Sequence, residues 1–193
     1  MAFSWGAACR PKGGQTVSGD AYVVIPTNEH SLLVAAIDGL GGGEEAARAA
    51  KAAVEVIQAN PNRDLNEIIR LSHTALQHTR GAVLALMTLD RRDHRMAFVG
   101  VGNIGAQVYS ERAIKPISKN GILGYRLPQL LNLTYTYNSG DTFVLYSDGV
   151  SSRFSLESRI SLALAPQQIA DQILLNYGKT TDDATVVVVR DSD

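Results

Sequence analysis

The chain has 193 residues, of which 45% are hydrophobic and 19% charged, and we expect residues 1–193 to form one globular domain. A formal net charge of −1 and scattered basic residues argue against nucleic acids and anionic membranes as partners. One cysteine, Cys9, excludes an intramolecular disulfide, and the sequence shows neither a signal-peptide pattern nor an apolar run of the ~20 residues that cross a bilayer. We therefore expect a cytoplasmic protein.

The first eighty residues predict three strands followed by two helices. Short aliphatic and β-branched runs bounded by turn residues indicate the strands Phe3–Cys9, Ala21–Ile25 and Leu32–Ile37. The first helix, Glu44–Ala59, is rich in good helix formers and stops before an Asn-Pro pair. The second helix, Leu65–His78, carries an apolar stripe and has Asp64 as its N-cap.

The rest of the chain predicts mostly strands. A hairpin of two strands is followed by three short strands, one helix and a last strand: Ala82–Leu89, Met96–Val101, Ile104–Tyr109, Leu133–Tyr137, Thr142–Tyr146, the helix Ile169–Tyr177, and Thr185–Arg190. Strands linked by hairpins, with the helices in separate blocks, predict an α+β fold in which helices cover antiparallel sheets.

Aspartates stand at the tips of several apolar strands. Asp38 and Asp148 end two such runs, whereas Asp20 and the pair Asp182-Asp183 begin two others. Because the end of one antiparallel strand lies beside the start of its neighbour, these carboxylates can meet at one rim of the sheets.

A rim of carboxylates predicts a cation site. Clustered carboxylates repel one another near neutral pH, and Mg²⁺ and Mn²⁺ are the hard cations that prefer such oxygen ligands. Gly39 and Gly149, which follow two of the aspartates, allow backbone carbonyls to come close. Each Asp-Gly pair alone is also a common turn, so the prediction depends on the whole set of strand-tip aspartates.

Five short motifs, taken together, carry a resemblance to a known family. In chain order they are Ser18-Gly19-Asp20, Asp38-Gly39-Leu40-Gly41-Gly42-Gly43, Gly100-Val101-Gly102-Asn103, Ser147-Asp148-Gly149 and Asp182-Asp183-Ala184-Thr185. This series resembles the metal-dependent serine/threonine protein phosphatases, the PPM or type 2C family. The chain is most similar to the compact SpoIIE-type bacterial branch and, through Thr79–Ala82 and Gly124-Tyr125, to stressosome phosphatases of the RsbX type.

The resemblance implies a fold, a cofactor and a substrate. The fold is a four-layer α-β-β-α arrangement, an antiparallel β-sandwich flanked by helices, and the cofactors are two Mn²⁺ or Mg²⁺ ions. The substrates are phosphoserine and phosphothreonine in proteins, with stressosome scaffold proteins of the RsbR and RsbS kind as partners in bacterial stress signalling. A monomer is expected.

The resemblance also implies a role for individual residues. Asp38 would bridge both ions, and the Gly39 carbonyl would bind one of them. Asp148 and Asp182 would ligate the other ion, and Asp20 would hold metal-bound water. A hydroxide bridging the ions would then attack phosphorus. Secondary candidates at the same rim are Asn103 and Asp183.

Two positions depart from the pattern of the family. Leu40 stands where many eukaryotic members have a histidine that protonates the leaving oxygen. Gln15 and Thr16 occupy the region where those enzymes grip phosphate with an arginine, and Arg10 or Arg80 are candidates to replace it. These departures keep open the alternative of a pseudo-phosphatase that only binds its partner. A phosphatase for small phosphate esters is a further, separate alternative.

Other reactive side chains have simpler interpretations. We expect Cys9 to be a buried free cysteine, because no histidine and asparagine pattern accompanies it. His73 and His78 share the second predicted helix at a spacing that does not suit zinc, and are expected at its surface or at the edge of its apolar stripe. The Gly41–Gly43 run lacks the Gly-Lys-Ser/Thr of a nucleotide-binding P-loop.

Overall fold

The computed structural model describes residues 3–154 and 160–192, and in these ranges nine strands and three helices are formed. The strands are β1 (Phe3–Arg10), β2 (Asp20–Pro26), β3 (Ser31–Gly39), β4 (Ala82–Asp90), β5 (Arg95–Val101), β6 (Gly105–Tyr109), β7 (Leu133–Thr136), β8 (Thr142–Tyr146) and β9 (Ala184–Asp191). The helices are α1 (Gly43–Ala59), α2 (Leu65–Ala75) and α3 (Pro166–Tyr177).

The strands form two antiparallel sheets that pack face to face. One sheet has the order β1-β9-β8-β6, and the other has the order β2-β3-β4-β5-β7. Apolar residues between the sheets form one core, including Met87, Phe98, Phe143 and Val187. The helices cover the outer faces, which gives the predicted four layers.

Each outer face has its own apolar core. The alternate side chains of the five-stranded sheet, such as Leu33 and Leu84, pack with Ile57 of α1 and Ile68 of α2. On the four-stranded sheet, α3 packs through residues such as Ile169 against the outward side chains of β8 and β9. The strands β3, β4, β8 and β9 are buried on both faces because both faces are covered, which explains their continuous apolar runs in the sequence.

The second helix is shorter than predicted. Residue Ala75 ends α2, so His78 lies in the following turn and not on the helix. The backbone N–H and the hydroxyl of Thr79 both donate to the carbonyl of Leu76. These turn hydrogen bonds, between residues three apart, take the place of further α-helical bonds between residues four apart. His73 remains on α2, and its Nδ1 accepts a hydrogen bond from the N–H of Gly124 at 3.0 Å.

The prediction that Cys9 is buried is wrong. Its thiol is exposed because β1 is an edge strand, paired among the described strands with β9 alone. The thiol contacts two hydroxyl groups: Thr185 donates to Sγ at 3.0 Å, and Ser18 lies 3.5 Å away.

No helix in the described ranges has the length and hydropathy needed to cross a membrane.

Truncation in the core between the sheets is expected to destabilise the fold strongly. Phe98 is fully buried there, and Phe98→Ala should lower the free energy of unfolding by about 3–5 kcal/mol, since it removes apolar contacts and leaves a cavity. Urea unfolding measures this loss. The matched control is Leu175→Ala on α3, whose side chain is 77% exposed; this change should stay within about 0.5 kcal/mol. Equal effects of the two changes would contradict the assignment of the core.

Candidate metal centre

The strand-tip aspartates meet at one end of the sandwich. Asp20 on β2 lies directly opposite Asp38 on β3 in the antiparallel register. Asp148 follows β8 and Asp182 precedes β9, and these two strands are also neighbours. A cavity of about 390 Å³ opens at this end, and its lining includes Asp38, Asp148, Asp182 and Asn103. Three of the predicted carboxylates, from distant parts of the chain, thus face one cavity.

The electrostatics of this rim oppose ionisation. Burial raises the pKa of Asp38 to about 8, and repulsion from Asp20, Asp148 and Asp182 adds to the effect. Burial likewise raises the pKa of Asp20 to about 7, although a hydrogen bond from Ser147 partly offsets the increase. A cation in the cavity would relieve both the desolvation and the repulsion.

The raised pKa values predict how the stability of the metal-free protein depends on pH. Asp38 and Asp20 keep their protons in the folded state up to about pH 8 and about pH 7, whereas the ordinary pKa is 3.8. The folded state therefore binds more protons than the unfolded chain in this window, and the free energy of unfolding should fall as pH rises from about 4 to about 8. Urea unfolding in chelator at several pH values measures the slope. Asp38→Asn should make the slope shallower, and an unchanged slope would contradict the prediction.

The donor set suits a hard divalent cation held partly by water. In the described residues, no group of three or more histidine, cysteine, aspartate or glutamate side chains is already arranged to hold a metal ion. The carboxylates line an open cavity instead, which suits Mg²⁺-like ions that keep several waters and take few protein ligands. Oδ1 of Asp20 is buried and has no hydrogen-bond partner among residues 3–154 and 160–192, so an acceptor oxygen is left over at the rim.

Two glycines fix the turns that carry Asp38 and Asp148. A Cβ on Gly39 would lie 2.1 Å from the carbonyl oxygen of Ala46 in α1, and a Cβ on Gly149 would lie 1.8 Å from that of Asp183. Neither position tolerates a side chain, because backbone from a neighbouring segment fills the space. Close packing, and not a left-handed backbone, requires glycine at both turns.

Asp148 is held by two neighbours. Nδ2 of Asn103 donates to its Oδ2 at 2.7 Å, so the predicted secondary residue does lie at the rim. Nζ of Lys179 donates to the main-chain oxygen of Asp148 at 2.6 Å, and the N–H of Lys179 donates to the oxygen of Gly149 at 2.7 Å. Sequence reasoning missed Lys179, since no motif marks it.

The two adjacent aspartates before β9 differ in their surroundings. Asp182 lines the cavity. Asp183 is buried and accepts hydrogen bonds from the backbone N–H groups of Lys12 and Gly19, each at 2.9 Å. It therefore anchors the loop between β1 and β2 at the rim.

Asp20 lies behind the cavity and is oriented by a hydroxyl group. Ser147 donates to its Oδ2 at 2.5 Å and accepts from the N–H of Thr185 at 2.9 Å. Asp20 is not among the described residues that line the cavity. This position suits contact through water better than direct ligation.

The two candidate arginines lie in different places. Arg80 packs on the glycine run: its Nη1 is 2.7 Å from the position that a Cβ of the cavity-lining Gly41 would take. Arg10 donates instead to the carbonyl of Lys179 at 3.1 Å and does not line the cavity. Sequence reasoning also missed Lys12, whose Nζ lies 3.4 Å from the position that a Cβ of Gly42 would take.

Comparison with known proteins identifies the family. A profile of the family described as Stage II sporulation protein E (SpoIIE) matches residues 28–191, which is most of the chain. The chain belongs to the SpoIIE family. This confirms the predicted SpoIIE-type branch of the metal-dependent protein phosphatases.

Individual relatives and solved structures extend the comparison. The chain is 22% identical over 179 residues to the phosphoserine phosphatase RsbX of Bacillus subtilis (strain 168), covering 92% of this chain and 89% of that protein. A solved structure described as "The bacterial stressosome: a modular system that has been adapted to control secondary messenger signaling" has a TM-score of 0.93 at 35% identity, covering 98% of this chain and 100% of that chain. The structure of RsbX in complex with magnesium has a TM-score of 0.87 at 21% identity, covering 97% of this chain and 94% of that chain. The predicted α+β phosphatase fold is confirmed.

Proposed function

We propose that this chain is a metal-dependent phosphatase that removes phosphate from phosphoserine or phosphothreonine in proteins. The observation that carries the proposal is the cavity that collects Asp38, Asp148 and Asp182 in a fold of the SpoIIE family. Burial and mutual repulsion oppose the ionisation of these carboxyl groups. A bound cation would stabilise their charged form, which favours cation binding in this cavity.

Four groups would hold two Mn²⁺ or Mg²⁺ ions in this proposal: the carboxylates of Asp38, Asp148 and Asp182 and the main-chain oxygen of Gly39. When bound, the ions would activate water for attack on phosphorus and neutralise the charge of the phosphoryl oxygens. The buried Asp20, held by Ser147, would accept a hydrogen bond from water at the edge of the site.

The protein itself would orient the ligands and the phosphate. Asn103 fixes one oxygen of Asp148, so the other oxygen is free to point into the cavity. Val83 and Ile122 supply apolar lining that limits the number of waters. Arg80, beside Gly41, is the better placed of the two arginines to bind the phosphate group.

Leu40 lines the cavity at the position where a histidine would donate a proton. Its side chain carries no proton for the leaving oxygen, so we infer that this oxygen takes its proton from water. Without a positioned general acid, the rate of this step loses a factor of about 10²–10⁴. Turnover should therefore be slow.

For the substrate we propose phosphorylated stressosome scaffold proteins, acted on by a monomer of this chain. The support is the likeness to RsbX and to the stressosome structure. The test is to incubate the protein with phosphorylated scaffold protein, with Mn²⁺ and with chelator, and to follow the phosphate released. Release that requires Mn²⁺ supports the proposal, and no release at any Mn²⁺ concentration contradicts it.

Two further measurements separate the alternatives. A pseudo-phosphatase would bind the phosphorylated scaffold protein without releasing phosphate. An enzyme for small esters would hydrolyse a free phosphorylated metabolite faster than a phosphoserine peptide or an intact phosphoprotein, whereas our proposal predicts the opposite order.

A further inference from the structure

A second groove opens beside the acidic cavity. Its volume is about 320 Å³, and it shares Asn103 and Asp148 with the cavity, so the two adjoin. Arg153 and Lys179 are among its lining residues. The proposed chemistry uses Asn103 and Asp148 but none of the other residues that line this groove.

The charge of the groove is opposite to that of the cavity. Arg153 and Lys179 bring two cationic groups, and Asp148 is the one carboxylate among its described lining residues. One oxygen of that carboxylate already accepts a hydrogen bond from Asn103. The hydroxyl groups of Ser151 and Ser152 add further hydrogen-bond donors.

The groove has a preformed wall. The ring of Tyr146 lies over Gly105, where a Cβ would come within 2.2 Å of a ring carbon. This ring also packs edge-on against Phe154, with centroids 5.1 Å apart and an interplanar angle of 76°. Lys179 is held at the groove by its two hydrogen bonds to the Asp148-Gly149 turn.

A phosphorylated side chain in the cavity must bring its neighbouring residues along the surface. An extended chain advances about 3.3–3.6 Å per residue, so a residue one or two positions away reaches a groove that directly adjoins the cavity. The acidic rim would repel a carboxylate there, whereas the cations of the groove attract it.

We propose that this groove binds an acidic side chain next to the phosphorylated residue, so that the preferred substrates are phosphoproteins with aspartate or glutamate beside the phosphoserine. This inference rests on the proposed phosphatase function. It assigns Arg153 and Lys179 to substrate selection, a role that the motifs of the sequence do not indicate.

The test uses three phosphoserine peptides of equal length that differ only in the residues on both sides of the phosphoserine: glutamate, glutamine or lysine. The ratio of kcat/KM between peptides is measured with Mn²⁺ for the wild type, Arg153→Gln, Arg153→Glu and the control Arg70→Gln. Arg70 is exposed on α2, which packs on the other sheet.

The wild type and Arg70→Gln should prefer the glutamate peptide over the lysine peptide by about fivefold, the upper range for one exposed ion pair. Arg153→Gln should reduce this ratio, Arg153→Glu should invert it, and added salt should weaken it. Equal kcat/KM values in the wild type, or a wild-type order in Arg153→Glu, would overturn the proposal.

p-Nitrophenyl phosphate, which has no flanking residues, separates this proposal from the function on which it rests. If the wild type hydrolyses this ester but shows no preference among the peptides, the proposed role of the groove is wrong and the proposed phosphatase function stands. If it hydrolyses neither the ester nor any peptide, both proposals fail.

Discussion

Asp38→Asn is expected to lower Mn²⁺-dependent phosphate release by roughly 10³-fold, because metal assistance supplies several kcal/mol of transition-state stabilisation. Asp38 lines the cavity, and burial raises the pKa of its carboxyl group to about 8. Asparagine keeps the shape of this side chain but cannot carry its negative charge. Initial rates on a phosphoserine peptide at saturating Mn²⁺ give the comparison.

The control for this change is Asp93→Asn, in the exposed turn between β4 and β5 at the other end of the sheet. It should leave the rate unchanged. The metal-free Asp38→Asn protein should also be more stable than the wild type, by an amount that grows from about pH 4 to about pH 8, because asparagine avoids the free-energy cost of keeping Asp38 protonated in the folded state. Full activity of Asp38→Asn would show that the rim does not hold the catalytic ions.

Gly149→Ala is expected to damage both stability and activity. The added methyl carbon would lie 1.8 Å from the carbonyl oxygen of Asp183, so the Asp148 turn and the start of β9 must move apart. Overpacking of this kind should cost at least ~2 kcal/mol. A displacement of about 1 Å at Asp148 should lower kcat/KM by roughly 10²-fold. Thermal unfolding and initial rates measure the two effects.

Gly140→Ala is the matched control, in the turn before β8 at the opposite end of that strand. Gly140 has a φ of +86°, and in the described part of the chain no heavy atom beyond its chain neighbours lies within 4 Å of the position that a Cβ would take. Its replacement therefore adds backbone strain without a clash. It should cost about 1 kcal/mol and leave the phosphatase rate intact. If Gly149→Ala were as mild as Gly140→Ala, close packing at the Asp148 turn would not be the reason for glycine there.

The position of the rim could be predicted because its signals are local. Asp38 and Asp148 each end an apolar run and precede a glycine, and Asp20 begins one. Antiparallel pairing then brings such ends together, as the direct register of Asp20 with Asp38 confirms. The same local patterns indicated every strand of the two sheets to within two residues at each end.

Features that depend on contacts between distant segments could not be predicted. Lys179 matters through its bonds to the Asp148-Gly149 turn, and no spacing in the sequence reveals this. Cys9 lies in a run that suits a buried strand, but its exposure depends on the place of β1 at the edge of a sheet. The end of α2 could not be foreseen because it depends on a turn in which the N–H and the hydroxyl of Thr79 both donate to the Leu76 carbonyl, and no pattern in the sequence marks this turn.

Anomalous diffraction from crystals grown with Mn²⁺ is the most direct test of the acidic cavity as a two-metal centre. We predict two anomalous peaks inside the cavity, within coordination distance of carboxylate oxygens of Asp38, Asp148 and Asp182. Crystals soaked in ample Mn²⁺ that show no peak beside these three residues, or ions bound only elsewhere on the surface, would contradict the proposed chemistry.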